Sequence, residues 1–230
     1  MKFLITNDDG VHASGISALA SVARRFGDVV IVAPDVAHSG CGHRVTTDSA
    51  IHVSTHGEQH YSISGTPADC VRVALWELAS DVDWVLSGIN AGGNLGVDVF
   101  MSGTVAAVRE GVLLGKPGIA ISHYHRTGSQ FDWNRAQELA ARAISQILVR
   151  ETSAGQFWNV NLPDLAGSES VPELVDCELA RPHLHMHFER DDDGLRYKGD
   201  YHSRPRSNGD DVDVCFSGNV AISRMGVWSF

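Results

Sequence analysis

The sequence predicts an α/β fold: a Rossmann-like, mostly parallel sheet with crossover helices, followed by a β-rich C-terminal appendage or hairpin. Three observations carry that expectation. Through residue 163, short apolar runs alternate with segments of helical periodicity, as βαβ units do. The run Val29-Val30-Ile31-Val32-Ala33 is continuously apolar, as a strand covered on both faces should be. After Pro163 helical periodicity fades and charge becomes more frequent. Residues 1–165 therefore read as the core and 166–230 as an extension involved in oligomerisation, the two forming one structural unit.

Each element has a local cause. Lys2 to Thr6 is apolar enough for a first strand, and Ile16, Leu19, Ala20, Ala23 and Phe26 then recur at helical spacing. The second strand, residues 29–33, breaks at Pro34, and a loop rich in Gly, Ser and His runs from residue 35 to about 46. Short strands are expected at 51–54 and 61–63, around a turn at Gly57. Thr66-Pro67-Ala68-Asp69 reads as a helix start, with Thr as N-cap, Pro in the first turn and an acid three residues on. Val71, Ala74, Leu75 and Leu78 form the buried face of that helix. A strand at 83–87 leads into a glycine-rich loop from Gly88 to Gly96, and a helix opens near Ser102-Gly103-Thr104 with Val105, Val108 and Val112 inward. A strand at 117–122, a long helix at 133–149 and a strand at 157–162 complete the core, the last closing the sheet. Beyond it, residues 173–188 and 195–201 read as strands joined by a turn at Asp191-Asp192-Asp193-Gly194. Trp76 and Trp84 sit at core-like spacing.

A chain of 230 residues suffices for one sizeable domain. The formal charge of −10 argues against a nucleic-acid polymer as partner, though not against a small phosphorylated ligand. No run approaches the roughly 20 apolar residues of a membrane span, and the strand-like start predicts no signal peptide. Cys41, Cys70, Cys177 and Cys215 lie far apart, as free thiols in a reducing compartment do, so a cytoplasmic location is expected.

The chemistry is concentrated at strand ends. In Thr6-Asn7-Asp8-Asp9-Gly10, two adjacent carboxylates follow a buried strand. Such a pair is costly unless a proton or a cation sits with it. The plainer reading is that Asp8 and Asp9 cap the following helix. Ligands of open parallel sheets bind beyond the carboxyl ends of the strands, where strand order reverses. There Asp8 and Asp9 join Ser39, beyond the second strand, and Asn90, beyond the strand at 83–87. These hard oxygen donors suit Mg²⁺ or Mn²⁺ rather than copper or zinc. In the stretch 90–104, glycines admit an anion close to the backbone, and the helix opened by Ser102-Gly103-Thr104 favours negative charge at its amino end. Asn94, Ser102, Gly103 and Thr104 are therefore candidate phosphate ligands.

Other residues carry weaker signals. His185 and His187 share a strand face but read as an exposed edge; His12, His38 and His43 lie near the proposed site; Cys41 lacks an evident base; Asp191 to Asp193 reads as a solvated turn.

Taken in order, Asn7-Asp8-Asp9-Gly10-Val11-His12-Ala13, Ser39-Gly40, Gly65-Thr66-Pro67-Ala68-Asp69-Cys70-Val71, Ser87-Gly88-Ile89-Asn90-Ala91-Gly92 with Asn94-Leu95-Gly96, Ser102-Gly103-Thr104-Val105 and the late Asn159-Val160-Asn161-Leu162-Pro163-Asp164 resemble the SurE family of metal-dependent nucleotidases and acid phosphatases. The resemblance implies a Rossmann-like core with a β-hairpin extension, and a homodimer or homotetramer that exchanges C-terminal segments. It implies one divalent cation, Mg²⁺ or Mn²⁺, per subunit, held by Asp8, Asp9, Ser39 and Asn90, with Asp8 and Asp9 as the candidate catalytic pair. The implied activity is hydrolysis of nucleoside 5′-monophosphates, with 3′-monophosphates as further substrates. Met101 and Asn219 depart from the family pattern, which has tyrosine at both positions. The rival readings are a non-catalytic nucleotide-binding regulator, and a broad acid phosphatase or short-polyphosphate hydrolase.

Overall fold

The first strand, β1 (Lys2–Thr6), shows why the sheet is central: Phe3, Leu4 and Ile5 are all fully buried, yet they serve opposite faces. Phe3 and Ile5 pack with residues of α1 (Ser14–Ala23) and α4 (Trp133–Leu148), while Leu4 packs with residues of α2 (Pro67–Val73) and α3 (Gly103–Leu113). Side chains alternate across a strand, so apolar residues at successive positions need a layer on each side. The computed structural model describes residues 1–126, 128, 131–166, 170–182 and 186–228, and within them the α/β architecture with a large, mostly parallel sheet is as expected.

The sheet has nine strands in the order β3-β4-β2-β1-β5-β6-β7-β11-β8. Here β2 is Asp28–Pro34, β3 Val53–Gly57, β4 His60–Ile63, β5 Trp84–Ala91, β6 Gly118–His123, β7 Gln156–Leu162, β8 Leu174–Asp176 and β11 Val220–Gly226. β1 pairs in parallel with β2 on one side and with β5 on the other. The chain leaves β1 toward one edge and returns past it to β5, so strand order reverses at the carboxyl ends of β1 and β5. A separate antiparallel hairpin, β9 (Phe188–Asp191) and β10 (Gly194–Tyr197), turns through Asp192 and Asp193 as expected.

Several boundaries differ from the sequence reading for physical reasons. β5 continues through Asn90 and Ala91, which the sequence suggests are loop. A register shift after Ser87 re-forms the ladder, pairing Asn90 with Ser122 and Ala91 with His123. β7 does not close the sheet, because β11 pairs antiparallel to it and β8 lies beyond β11. Of the expected strand at 173–188, the described residues form strand only at Leu174–Asp176 and at Phe188, where β9 begins: past Asp176 the main chain turns to α5 (Asp211–Phe216), where Ala180 N–H donates to Asp211 Oδ1. α5 itself has no counterpart in the sequence reading, and with Leu95, Tyr124 and Ala221 it builds a third, smaller apolar cluster.

Trp76 is 87% exposed rather than part of the core. The helix after Val73 widens into a π-helical turn, Ala74–Leu78, closed by Ala79 N–H to Ala74 O at 2.7 Å. That turn breaks the 3.6-residue period on which the expectation rested. Trp84, in contrast, packs half-buried against the core.

Candidate active site

Asp8 and Asp9 follow β1 at the reversal point, and the chain turns immediately after them at Gly10, whose φ is +99°. They do not cap α1, because Ala13 is its N-cap and no side chain caps it. Instead, Asp8 is driven inward. Its Oδ1 accepts the Thr104 hydroxyl at 2.5 Å, and its main-chain oxygen accepts His38 N–H at 2.8 Å. The second contact brings the main chain at His38, the residue before Ser39, to Asp8. Asp9 Oδ2 receives the Ala91 N–H at 3.4 Å, so the end of β5, with Asn90, lies against the same carboxylates. The Asn90 amide nitrogen donates to Gly92 O at 2.8 Å, which turns that hydrogen away and leaves its amide oxygen unengaged by that bond.

Burial pushes the Asp8 carboxyl up to about 6; the Thr104 hydrogen bond opposes the rise and the Asp9 charge adds to it. Asp9 is also raised, again by burial. Among the described residues neither carboxylate has a Lys, Arg or His within ion-pair distance. Nor do three His, Cys, Asp or Glu side chains form a metal cluster there. The donor set at the pair is two carboxylates with a neighbouring hydroxyl and amide, and those hard, negatively charged oxygens fit a divalent cation.

The raised carboxyl has a consequence for stability. Asp8 binds its proton more tightly folded than unfolded, so metal-free protein is favoured below about pH 4 and loses that stability as pH rises through about 6. The full difference corresponds to roughly 3 kcal/mol. Asp8→Asn, which carries no charge, is therefore expected to flatten this limb. In chelator at pH 7.5 its Tm should exceed the wild-type value by several degrees, and equal Tm values across pH 4–7.5 would contradict the assignment.

The second wall of the site is the amino end of α3. Ser102 caps it, accepting Val105 N–H at 3.1 Å, and the N–H groups of Gly103 and Thr104 in the first turn have no intrahelical acceptor. A Cβ on Gly103 would lie 2.8 Å from Asp8 Cβ and 3.0 Å from both Asp8 Oδ2 and Cys41 Sγ, so glycine is required for the helix to reach the carboxylates. Cys41 therefore touches the site, but burial and the Asp8 charge push its thiol up, the opposite of what a nucleophile needs.

Asn94 sits in a buried polar cluster. Its side-chain nitrogen donates to Ser122 Oγ at 2.7 Å, its N–H to Asn161 Oδ1 at 2.8 Å, and its carbonyl accepts from Asn159 and Asn161. One of its two amide hydrogens is thereby committed to Ser122. The roles of Ser122, Asn159 and Asn161 are not part of the sequence reading. Their signal is Asn-Val-Asn within a buried strand, two polar residues at period two on one face.

The remaining candidates disperse. His43 Nε2 lies 2.7 Å from Glu110 Oε2, and the His12 and His56 rings meet edge to face at 5.3 Å. His187 is exposed beside Glu189, and His185 lies outside the described residues. Arg196 ties down Asp191 and Asp193, leaving a solvated turn. Asn219 Oδ1 accepts Glu173 N–H at 3.0 Å, so this departure from the family pattern fastens the chain entering β8 to the start of β11.

Known proteins similar to this chain cover nearly all of its length. Residues 3–185 match the model of the family described as survival protein SurE. A putative 5′-nucleotidase of Nostoc sp. is 47% identical over 227 residues, spanning 99% of this chain and 100% of the relative. The 5′-nucleotidase SurE of Vibrio campbellii is 42% identical over 191 residues, 82% of this chain and 71% of the relative. The crystal structure of SurE from Aquifex aeolicus superposes with a TM-score of 0.85 at 29% identity, covering 98% of this chain and 93% of that one.

Proposed function

This chain belongs to the survival protein SurE family, and from that membership we propose that it is a 5′-nucleotidase, a phosphomonoesterase that hydrolyses nucleoside monophosphates to nucleoside and phosphate. The observation that carries the reading is the uncompensated Asp8–Asp9 pair facing the open amino end of α3. A phosphate binder without catalytic function gains nothing from two carboxylates beside its anion, which argues against the regulator.

Asp8, Asp9, Ser39 and Asn90 are assigned to one divalent cation, Mg²⁺ or Mn²⁺, per subunit. Bound there, it would offset the carboxylate charge and supply Lewis acidity toward the phosphoryl group. The chain's own residues do the rest. Thr104 holds Asp8 in place through its hydroxyl. The main-chain N–H groups of Gly103 and Thr104, the Ser102 hydroxyl and the free amide hydrogen of Asn94 receive the phosphoryl oxygens. As charge shifts toward the leaving oxygen during in-line attack by water, these fixed dipoles need little reorganisation.

Three further assignments belong to the same proposal. Val171, Leu195 and Trp228 are exposed large apolar side chains in the C-terminal extension, which supports a homodimer or homotetramer assembled through residues 166–230. All four cysteines are free, which supports a cytoplasmic location; among the described residues no helix is long and apolar enough to cross a membrane. Nucleoside 3′-monophosphates and short polyphosphate are treated as secondary substrates, since they share the anionic group the site addresses.

The test is phosphate release from nucleoside 5′-monophosphates with Mn²⁺, with Mg²⁺ and with chelator. Release that requires the cation is expected. Tight nucleotide binding without metal-dependent release would transfer the case to the regulator.

A further inference from the structure

Resting on the nucleotidase reading, we propose that the cleft between the β9–β10 hairpin and the 3₁₀ turn Gly96–Phe100 is the seat of the substrate's nucleobase. The structure juxtaposes an aromatic cavity there with both segments that carry the proposed phosphate ligands.

The cavity is about 620 Å³, within the range of small-molecule sites, and its lining includes Met101, Met186, Phe188, Tyr197 and Tyr201, with Arg204 at its wall. It meets the phosphate site at two points. Met101 is the residue before Ser102, the cap of α3. The Tyr201 hydroxyl lies 3.1 Å from Gly93 O, on the residue before Asn94. A ligand with its phosphoryl group on α3 thus has this cleft immediately beyond Met101 for its other end.

The wall is rigid enough to orient a ring. Arg204 grips Asp98 with two parallel bonds of 2.6 and 2.8 Å, and the arginine side chain is only 6% exposed. The same guanidinium lies 4.1 Å over the Tyr201 ring, whose hydroxyl is also 3.0 Å from Asp98 Oδ2. Opposite this wall, Phe188 and Tyr197 are cross-strand partners with ring centroids 5.5 Å apart, yet they remain 47% and 54% exposed. Two aromatic faces held by a hairpin but not covered by their own fold are what a stacked, planar base requires. Flexible Met101 and Met186 would adapt to purine or pyrimidine outlines, so shape selects a planar aromatic group rather than one particular base. The same argument gives Met101, where the family has tyrosine, a role in the cleft.

The experiment compares kcat/KM for adenosine 5′-monophosphate with kcat/KM for glycerol 2-phosphate, which offers the same phosphoryl group and no ring. It uses the assembled wild-type protein, Phe188→Ala and Tyr197→Ala. The wild-type ratio should favour the nucleotide, and each variant should lower that ratio about tenfold, the scale of losing one stacked ring. In parallel, equilibrium dialysis with adenosine alone should show binding that weakens by a similar factor in both variants. An unchanged ratio together with unchanged adenosine binding would overturn the proposal while leaving the nucleotidase reading intact. A change in subunit number by light scattering with the ratio unchanged would also overturn it, marking the rings as an interface. If the wild-type protein hydrolyses neither ester while adenosine binding is still lost in the variants, the base site stands and the nucleotidase reading fails.

Discussion

Replacing Asp8 and Asp9 together by asparagine is expected to lower metal-dependent phosphate release from nucleoside 5′-monophosphates by about 10³-fold or more. The double change keeps the size of both side chains and removes both charges. What is lost is the attraction for the cation, and with it several kcal/mol of transition-state stabilisation, each 1.36 kcal/mol being a factor of ten in rate. Loss through misfolding is separable, because Asp8 is buried without a cationic partner and its charge opposes folding in metal-free protein. The variant should therefore melt no lower than wild type in chelator. Rates within tenfold of wild type would remove the carboxylates from the mechanism.

Gly103→Ala is expected to lower kcat/KM about 10²-fold with a fall in Tm of no more than several degrees. The added carbon would sit 2.8 Å from Asp8 Cβ and 3.0 Å from Cys41 Sγ, closer than non-bonded carbon and sulfur allow. Asp8 cannot withdraw freely, since Thr104 holds its other oxygen and His38 N–H its main chain. Either the carboxylate or the first turn of α3 must move by a fraction of an ångström to an ångström, and misplacement on that scale costs about 10² in rate. Stability responds differently. Alanine favours the helix over glycine by up to ~1 kcal/mol, which offsets part of an overpacking cost of about 1–3 kcal/mol. Adding Cys41→Ala removes the sulfur contact but not the Asp8 contact, so it should restore only part of the activity. Full activity in the single variant would mean that α3 does not abut the carboxylates.

Much of this arrangement is legible in the sequence because its cause is local. The apolar run Phe3-Leu4-Ile5, followed after Thr6 and Asn7 by two acids and a glycine, places charge at a strand end, and Ser-Gly-Thr ahead of Val105, Val108 and Val112 marks a capped helix with one buried face. Thr66 and Asp69 form the expected reciprocal cap, with Thr66 accepting Asp69 N–H and Asp69 accepting Thr66 N–H. What stayed hidden depends on pairing between distant segments. The Asn94 cluster exists only because β6 and β7 align Ser122 with Asn161, a register no short stretch encodes. β11 enters the sheet from 58 residues beyond the end of β7, between it and β8, and nothing local to residues 220–226 distinguishes that place from a free edge. The sequence marks Asn90 as a donor at a strand's end, and its placement within β5 follows from a register shift whose sequence mark, Gly88, also suits a plain turn. Trp76 departs from the expected core for the opposite reason: a local wide turn overrides a helical period that holds up to Val73.

The most direct measurement of the central claim is a Mn²⁺ titration followed by electron paramagnetic resonance, in wild type and in the Asp8→Asn, Asp9→Asn double variant. The account predicts one ion bound per wild-type subunit and loss of that site in the variant. Equal affinity in the two proteins would contradict it.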